Sequence, residues 1–116
     1  MDTFNVREYL KKDSFDIDEY LVMIGRAELL SREEQQALVE KAQQGDEDAM
    51  NTLLWSNALF VTSLVTQYKN KGLSIQELLN VAMPALQNVV MVYDAHSGKS
   101  LIKYAVSQMR EALDKI

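Results

Sequence analysis

Cysteine is absent from the chain of 116 residues, and histidine occurs once, at His96. A chain without cysteine can form neither a disulfide nor a thiolate metal site, and a lone histidine has no second imidazole with which to hold a metal ion. The sequence therefore predicts no zinc site, no cysteine chemistry and no cofactor.

Glycine and proline are scarce, with four residues and one residue respectively. None of the glycines falls in a phosphate-binding pattern such as GxxxxGK(S/T) or GxGxxG. The sequence also shows no nucleophile paired with a base, and carboxylate pairs such as Glu33 and Glu34 suit the first turn of a helix. We therefore expect a protein that is not an enzyme.

Long apolar runs are missing as well, since none approaches the ~20 residues that cross a bilayer. The segment MDTFNVREYLKK lacks the basic-then-apolar order of a secretory signal. These absences predict a cytoplasmic protein without a membrane partner.

Positive charge is in short supply, because the formal net charge is −5 at pH 7. This balance argues weakly against a general nucleic-acid binder, which needs Lys and Arg to neutralise phosphates. The charge is uneven, however. Residues 1–67 hold six basic and thirteen acidic residues, a net charge of −7, whereas residues 68–116 hold six basic and four acidic residues, a net charge of +2. Any contact with DNA is therefore expected in the C-terminal half.

Apolar residues make up 47% of the chain and recur at helical spacing, while β-branched runs are short. This pattern predicts an all-α fold, a compact bundle in one domain over residues 16–116. Residues 1–15 show no clear stripe beyond Phe4, Tyr9 and Leu10, so they are expected to be an N-terminal extension of uncertain order. The five expected helices are roughly 17–24, 32–44, 47–70, 75–93 and 100–115.

Local signals mark the ends of these helices. Three pairs have the form of a capping box, in which a side chain and a later carboxylate bond each other's free backbone amides: Asp16 with Glu19, Ser31 with Glu34, and Ser74 with Glu77. Three glycines, which tolerate positive φ, are expected to close helices: Gly25, Gly45 and Gly72.

Two helices carry long apolar stripes that are expected to face each other. The stripe of the third helix is Leu54, Ala58, Val61, Val65 and Tyr68. The stripe of the fourth helix is Leu79, Met83, Leu86, Val90 and Tyr93.

The order of motifs over residues 16–113 is more specific than any one of them. From Ile17 the chain reads IDEYLVMIGRAELLSREEQQAL, followed by GDEDA, NALFVTSLVTQYKNKGLS, YDAHSG and KYAV. This succession resembles the housekeeping, sigma-70-like type of bacterial RNA polymerase sigma factor. The resemblance is to the polymerase-binding and promoter-melting module, region 2 with the conserved segment before it. It implies a bundle of about five helices in a divergent and truncated relative.

In that family the fourth helix docks on a coiled coil of the polymerase clamp through an exposed polar stripe. Helical spacing puts the corresponding residues on one side of the helix: Glu77, Asn80, Pro84, Gln87 and Met91. The resemblance implies polymerase-binding roles for Glu77, Asn80, Gln87 and Met91. Val81 and Met83 depart from the family's acid and amide, and Pro84 is expected to interrupt the helix.

In the same family the last helix and the loop before it melt the promoter by holding flipped bases against aromatic rings. The resemblance implies base stacking by Tyr93 and Tyr104. The cations Lys99, Lys103 and Arg110 flank the outward side of this helix and are expected to keep a weak contact with phosphates. The stacking platform is depleted, because Ser107 and Gln108 replace two tryptophans. Glu111 and Asp114 add carboxylates that repel phosphates. We therefore expect weak binding to promoter DNA and weakened melting.

Two functions stay open at this point. The first is a sigma-like transcription protein that binds core RNA polymerase, as a divergent initiation factor or as a regulator at the sigma site. The alternative is a helical interaction module of the same fold that binds another protein, such as a sigma-sequestering regulator. Glu77 and Asn80 favour the first function, and the depleted aromatic platform favours the second.

Overall fold

The computed structural model describes residues 4–116, which form six α-helices and one 3-10 helix and contain no β-strand. The α-helices are α1 (Val6–Leu10), α2 (Ile17–Ile24), α3 (Arg32–Gln43), α4 (Glu47–Val65), α5 (Ile75–Val92) and α6 (Leu101–Asp114). The 3-10 helix, Thr66–Lys71, directly follows α4. The predicted all-α class is confirmed, with one helix more than expected. Within residues 4–116, no helix is long and apolar enough to cross a membrane.

Two of the three expected capping boxes form as predicted. The Glu34 amide donates to Ser31 Oγ at 3.1 Å and the Ser31 amide to Glu34 Oε1 at 3.0 Å. Ser74 and Glu77 repeat both distances at the start of α5. The third box is half formed. Asp16 accepts from the amide of Asp18 at 2.9 Å, but its own amide donates to the Tyr9 hydroxyl and not to Glu19.

The glycine stops follow the prediction at two positions out of three. Gly45 and Gly72 adopt φ values of 99° and 76°, in the left-handed region that favours glycine. Gly25 ends α2 at a φ of −66°, so it does not use the left-handed conformation that the sequence suggested.

The helix expected over 47–70 changes type near its end. The α-helix stops at Val65, and Tyr68 has a non-helical φ of −109° and ψ of 26° within the following 3-10 segment. The Thr66 hydroxyl donates to the Ser63 carbonyl at 2.7 Å. A side chain that bonds a carbonyl three residues back competes with the backbone ladder, which favours the tighter turn.

The two apolar stripes lie in the core as predicted. Every stripe residue is buried except Tyr68, which is half-buried and packs against the core. Helix α5 is central, because it contacts α1, α3, α4 and α6. The side of α5 opposite its stripe is therefore left to present polar groups to solvent.

The segment before α2, whose order the sequence left open, packs on this bundle. Val6 and Leu10 are 0% and 1% exposed. The buried side chain of Asn51 on α4 holds the backbone of the segment, donating to the Phe4 carbonyl at 2.8 Å and accepting from the Val6 amide at 3.0 Å. Residues 1–3 of the expected extension lie outside the described residues.

An aromatic cluster completes the attachment of this segment. The ring centroids of neighbouring pairs lie 5.4–6.1 Å apart, the range in which tilted and offset pairs attract. The cluster consists of Phe4, Tyr9, Phe15, Tyr20 and Trp55. The N-terminal segment is therefore part of the folded domain from residue 4 onward.

Candidate functional site

The polar side of α5 forms the first candidate surface, called here the α5 face: Glu77, Asn80, Pro84, Gln87 and Met91. All five side chains are exposed except Gln87, which is half-buried, and Met91 has 44% of its surface exposed. The opposite side of the helix is occupied by core residues such as Leu79 and Leu86. The four predicted polymerase-binding residues therefore share one accessible side of one helix.

Pro84 does not interrupt α5, so that expectation is wrong. The helix runs from Ile75 to Val92 with Pro84 inside it. Proline removes the amide that would bond the Asn80 carbonyl, and a buried helix would lose stability from that loss. Here Pro84 lies on the exposed side, where water can bond the carbonyl.

Glu77 has a structural role in addition to its exposure. Its carboxylate accepts from the Ser74 amide at 3.0 Å, which closes the capping box at the start of α5. This backbone hydrogen bond, and secondarily the Ser74 side chain, lowers the pKa of Glu77 below its ordinary value. Glu77 therefore carries a full negative charge at neutral pH on the first turn of the α5 face.

Asn80 and its neighbour Gln76 are bonded to the end of α1. The Asn80 side-chain amide donates to the Leu10 carbonyl at 2.7 Å. The Gln76 amide donates to the carbonyls of Leu10 and Lys12 at 2.8 and 2.9 Å. Sequence reasoning missed these contacts, because the partners lie 64–70 residues apart and no local pattern joins them.

The second candidate surface is a cleft of about 860 Å³ beside the start of α6, called here the α6 cleft. Four of the five predicted DNA-binding residues line it. Lys99, Lys103 and Tyr104 are exposed, whereas Tyr93 is buried. Arg32, the first residue of α3, contributes a third positive charge that sequence reasoning did not select. The cleft thus combines three cations and the Asp94 carboxylate with one exposed aromatic ring. The excess of positive charge beside an aromatic ring suits single-stranded nucleic acid.

Tyr93 and Arg110 do not have the free side chains that their predicted roles require. Tyr93 is 8% exposed, and its hydroxyl donates to the Lys99 carbonyl. Arg110 is half-buried and donates to Gln67 Oε1 at 3.1 Å and to the Tyr68 hydroxyl at 3.4 Å. Tyr93 therefore holds the loop before α6, and Arg110 joins α6 to the 3-10 helix.

The loop before α6 is also held from α3. The Gln43 side-chain amide donates to the Val90 carbonyl at 2.9 Å and to the Tyr93 carbonyl at 2.7 Å. These bonds satisfy carbonyls at the C-terminal end of α5, which have no partner within the helix. The loop that carries Lys99 is thereby positioned by both α3 and α5.

The outward side of α6 is exposed as the sequence predicted, at Tyr104, Ser107, Glu111 and Asp114. Glu111 pairs with Lys115 at 3.3 Å and lines a smaller groove between α5 and α6. Gln108 lines the same groove and is half-buried. Of the two positions where the resemblance implies tryptophan, Ser107 is exposed and Gln108 is half-buried.

Comparison with known proteins finds similarity to sigma factors. A family profile described as "Sigma-70 factor, region 1.2" matches residues 17–48, from the start of α2 into α4. The RNA polymerase sigma factors SigA of Listeria monocytogenes and Listeria innocua are each 29% identical to this chain over 96 residues. The chain is therefore similar to sigma-70-type sigma factors. The similarity covers 83% of it but only 26% of each relative, so it spans about a quarter of the length of those relatives.

This similarity agrees with the prediction of a sigma-factor-like transcription protein. The segment that matches the family profile also contains Arg32 and Gln43. One of these residues lines the α6 cleft and the other positions its loop. The segment that matches the family profile thus helps to build the second candidate surface.

Proposed function

We propose that this chain binds core RNA polymerase through the α5 face, at the site that sigma factors use, and contacts promoter DNA weakly through the α6 cleft. It acts there as a divergent initiation factor or as a regulator that occupies the sigma site. This role belongs to the cytoplasm, in line with the prediction from the sequence.

The accessible α5 face is the observation that carries the proposal. Glu77 and Asn80 have the acidic and amide character that the family resemblance implies at this surface, and both are exposed. The helix that carries them is fixed by a capping box at its start and by contacts with four other helices. A rigid helix whose polar side is exposed is suited to docking on another helical element.

Weakened DNA melting is supported by the aromatic side chains of the α6 cleft. Tyr104 is 47% exposed, whereas Tyr93 is buried, so one predicted stacking ring is accessible instead of two. Each stacked base contributes roughly 1–3 kcal/mol, so the loss of a ring lowers the affinity for melted DNA. The cations Arg32, Lys99 and Lys103 retain the attraction to phosphates.

A competition experiment on core RNA polymerase tests the proposal. Labelled authentic sigma factor is displaced from the polymerase by the parent chain or by Glu77→Lys. We expect Glu77→Lys to compete at least tenfold less well, about 1.4 kcal/mol or more, because a reversed charge meets the partner on the α5 face.

Glu34→Lys is the matched control, because Glu34 forms the same capping box with Ser31 at the start of α3. Both variants lose the same kind of cap and change the net charge equally. If Glu77→Lys and Glu34→Lys compete equally well, the α5 face is ordinary solvated surface and the proposal fails.

One observation favours a second candidate function. The depleted stacking platform, with Tyr93 buried and Ser107 in place of an aromatic residue, suits a chain that has kept the sigma fold but binds another protein. A sigma-sequestering regulator is the partner that this alternative names. A parent chain that fails to displace sigma from polymerase but binds such a regulator would establish the second function over the first.

A further inference from the structure

We infer that the surface offered to polymerase is composite, with the end of α1 fixed beside the α5 face so that Lys11 and Lys12 contact the same partner. This inference rests on the proposed polymerase binding. It adds a basic element to a surface whose charge would otherwise come from Glu77 alone.

The end of α1 is held against the first two turns of α5 by three hydrogen bonds. Gln76 donates to the carbonyls of Leu10 and Lys12, and Asn80 donates to the Leu10 carbonyl, over 2.7–2.9 Å. Gln76 precedes Glu77 in sequence, and Asn80 belongs to the α5 face. A partner that reaches Asn80 therefore meets the last turn of α1 within one side-chain length.

Several contacts keep α1 in place when a partner arrives. Val6 and Leu10 are fully or almost fully buried, and Asn51 bonds the backbone at both Phe4 and Val6. Displacing α1 would expose two aliphatic side chains, each worth roughly 1.5–3 kcal/mol of burial, and would break the hydrogen bonds as well. A partner therefore binds at a lower free-energy cost next to α1 in its place than by displacing α1 from the bundle.

The two lysines at this position are free to bind a partner. Both are exposed, and neither forms an ion pair with any of residues 4–116. Lys12 Nζ lies 5.8 Å from the centroid of the Tyr9 ring, which keeps its charge near the domain surface. With Glu77 alongside, the composite surface carries both signs of charge. It fits a helical hairpin or coiled coil that places acidic side chains next to basic ones.

The test reverses the lysine charges in the intact chain and repeats the competition on core RNA polymerase. We expect Lys11→Glu with Lys12→Glu to weaken competition at least fivefold and to make binding less sensitive to salt. The control is Arg26→Glu with Lys41→Glu, which changes the net charge equally at two exposed residues without a hydrogen bond or ion pair to α1 or α5. The control should stay within twofold of the parent.

A second variant, Gln76→Ala, leaves both lysines intact but removes two of the bonds that anchor them. We expect a two- to fivefold loss of competition with the helix content unchanged by circular dichroism. This result separates a positioned basic element from a general effect of charge.

Several outcomes overturn the inference. The inference fails if the lysine variant competes as well as its control. It also fails if the lysine variant competes better than the parent, which would mean that α1 had covered the α5 face. Loss of helix content in the lysine variant also contradicts it, since both side chains are assigned to the surface. If Glu77→Lys weakens competition while the lysine variant does not, polymerase binding stands and only this inference falls. If the parent chain does not compete at all, both the proposed polymerase binding and this inference are wrong.

Discussion

Asn51 is the side chain that joins the N-terminal segment to the rest of the core. It is 4% exposed and lies 45 residues from Val6, whose amide it binds. An asparagine side chain carries one acceptor and two donors, so it can bond a peptide carbonyl and a peptide amide together. Without it, the Phe4 carbonyl and the Val6 amide would lose their partners beneath the surface.

We predict that Asn51→Ala lowers the free energy of unfolding by about 2–4 kcal/mol, because each buried group left without a partner costs roughly 1–3 kcal/mol. Urea unfolding followed by circular dichroism measures the change. Asn88→Ala, at an exposed asparagine of α5, is the control and should have almost no effect. Equal stabilities for the two variants would mean that α1 is not held through Asn51.

Buried tyrosine side chains show what residue type alone does not reveal. Burial raises the pKa of Tyr20 to about 12, and its hydroxyl has no hydrogen-bond partner within residues 4–116. Tyr93 was expected both to belong to the apolar stripe of its helix and, because it matches a family aromatic, to stack on bases. The structure buries it, as the stripe predicted, and its hydroxyl donates to the loop before α6. Whether an aromatic ring is available depends on contacts that the motif does not contain.

Helix boundaries were predictable where local chemistry sets them. The starts at Ser31 and Ser74 come from capping boxes within four residues of sequence, and both were predicted correctly. Helix α1 was not predicted, because its five residues are too few for a helical stripe to show and tertiary contacts stabilise it. One signal could have found it. NVREYL at Asn5 and DIDEYL at Asp16 share a capping residue, a β-branched residue and Glu-Tyr-Leu, and both begin short helices.

The two complete capping boxes make α3 and α5 sensitive to acid. Backbone hydrogen bonds from Ser31 and Ser74 lower the pKa values of Glu34 and Glu77 below the ordinary 4.5. The stabilisation from a lowered carboxyl pKa is present above the unfolded-state value and is lost as the pH falls through the folded-state value. The loss should therefore begin near pH 4.5 and continue below it.

We predict that Glu34→Gln with Glu77→Gln loses less melting temperature between pH 6 and pH 3 than the parent does. Glutamine keeps the oxygen acceptor but has no proton to bind in this range. Thermal melts at several pH values provide the measurement. Glu33→Gln with Asp48→Asn, at two exposed first-turn positions that do not cap a helix, is the control. If the melting temperature of the variant falls as far as that of the parent, the capping boxes do not govern stability in acid.

At the scale of the whole molecule, the charge asymmetry of the sequence is partly reflected in the α6 cleft. The basic residues of the C-terminal half were expected to mark DNA contact, and Lys99 and Lys103 do line the α6 cleft. Arg32 joins them from the acidic half, which composition could not show, because it depends on α3 packing near α6. The residues of the α5 face were predictable, because one helix carries all of them. The contact between that face and α1 was not predictable, because its partners lie 64–70 residues apart in sequence.

We predict weak binding of single-stranded promoter DNA with little sequence preference, because Tyr104 is the one exposed ring among the predicted stacking residues. Ser107→Trp with Gln108→Trp and Glu111→Gln should raise the affinity at least fivefold, mostly through the exposed position 107. Fluorescence anisotropy on a labelled non-template strand at fixed salt measures both. Ser63→Trp, at an exposed serine of α4, controls for nonspecific tryptophan effects. Sub-micromolar, sequence-specific binding by the parent would contradict this prediction and favour a working melting module.

The attachment of α1 also sets an order of events during synthesis. The Leu10 carbonyl has no partner until Asn80 is made 70 residues later, and the Val6 amide has none until Asn51 is made. At about 5–20 residues per second, a ribosome takes roughly 4–14 s to cover the longer interval. Until α4 and then α5 have been made, the apolar side chains of α1 lack their complete binding site. Helix α1 therefore completes its packing only after α5 has been made, although it precedes α5 in the chain.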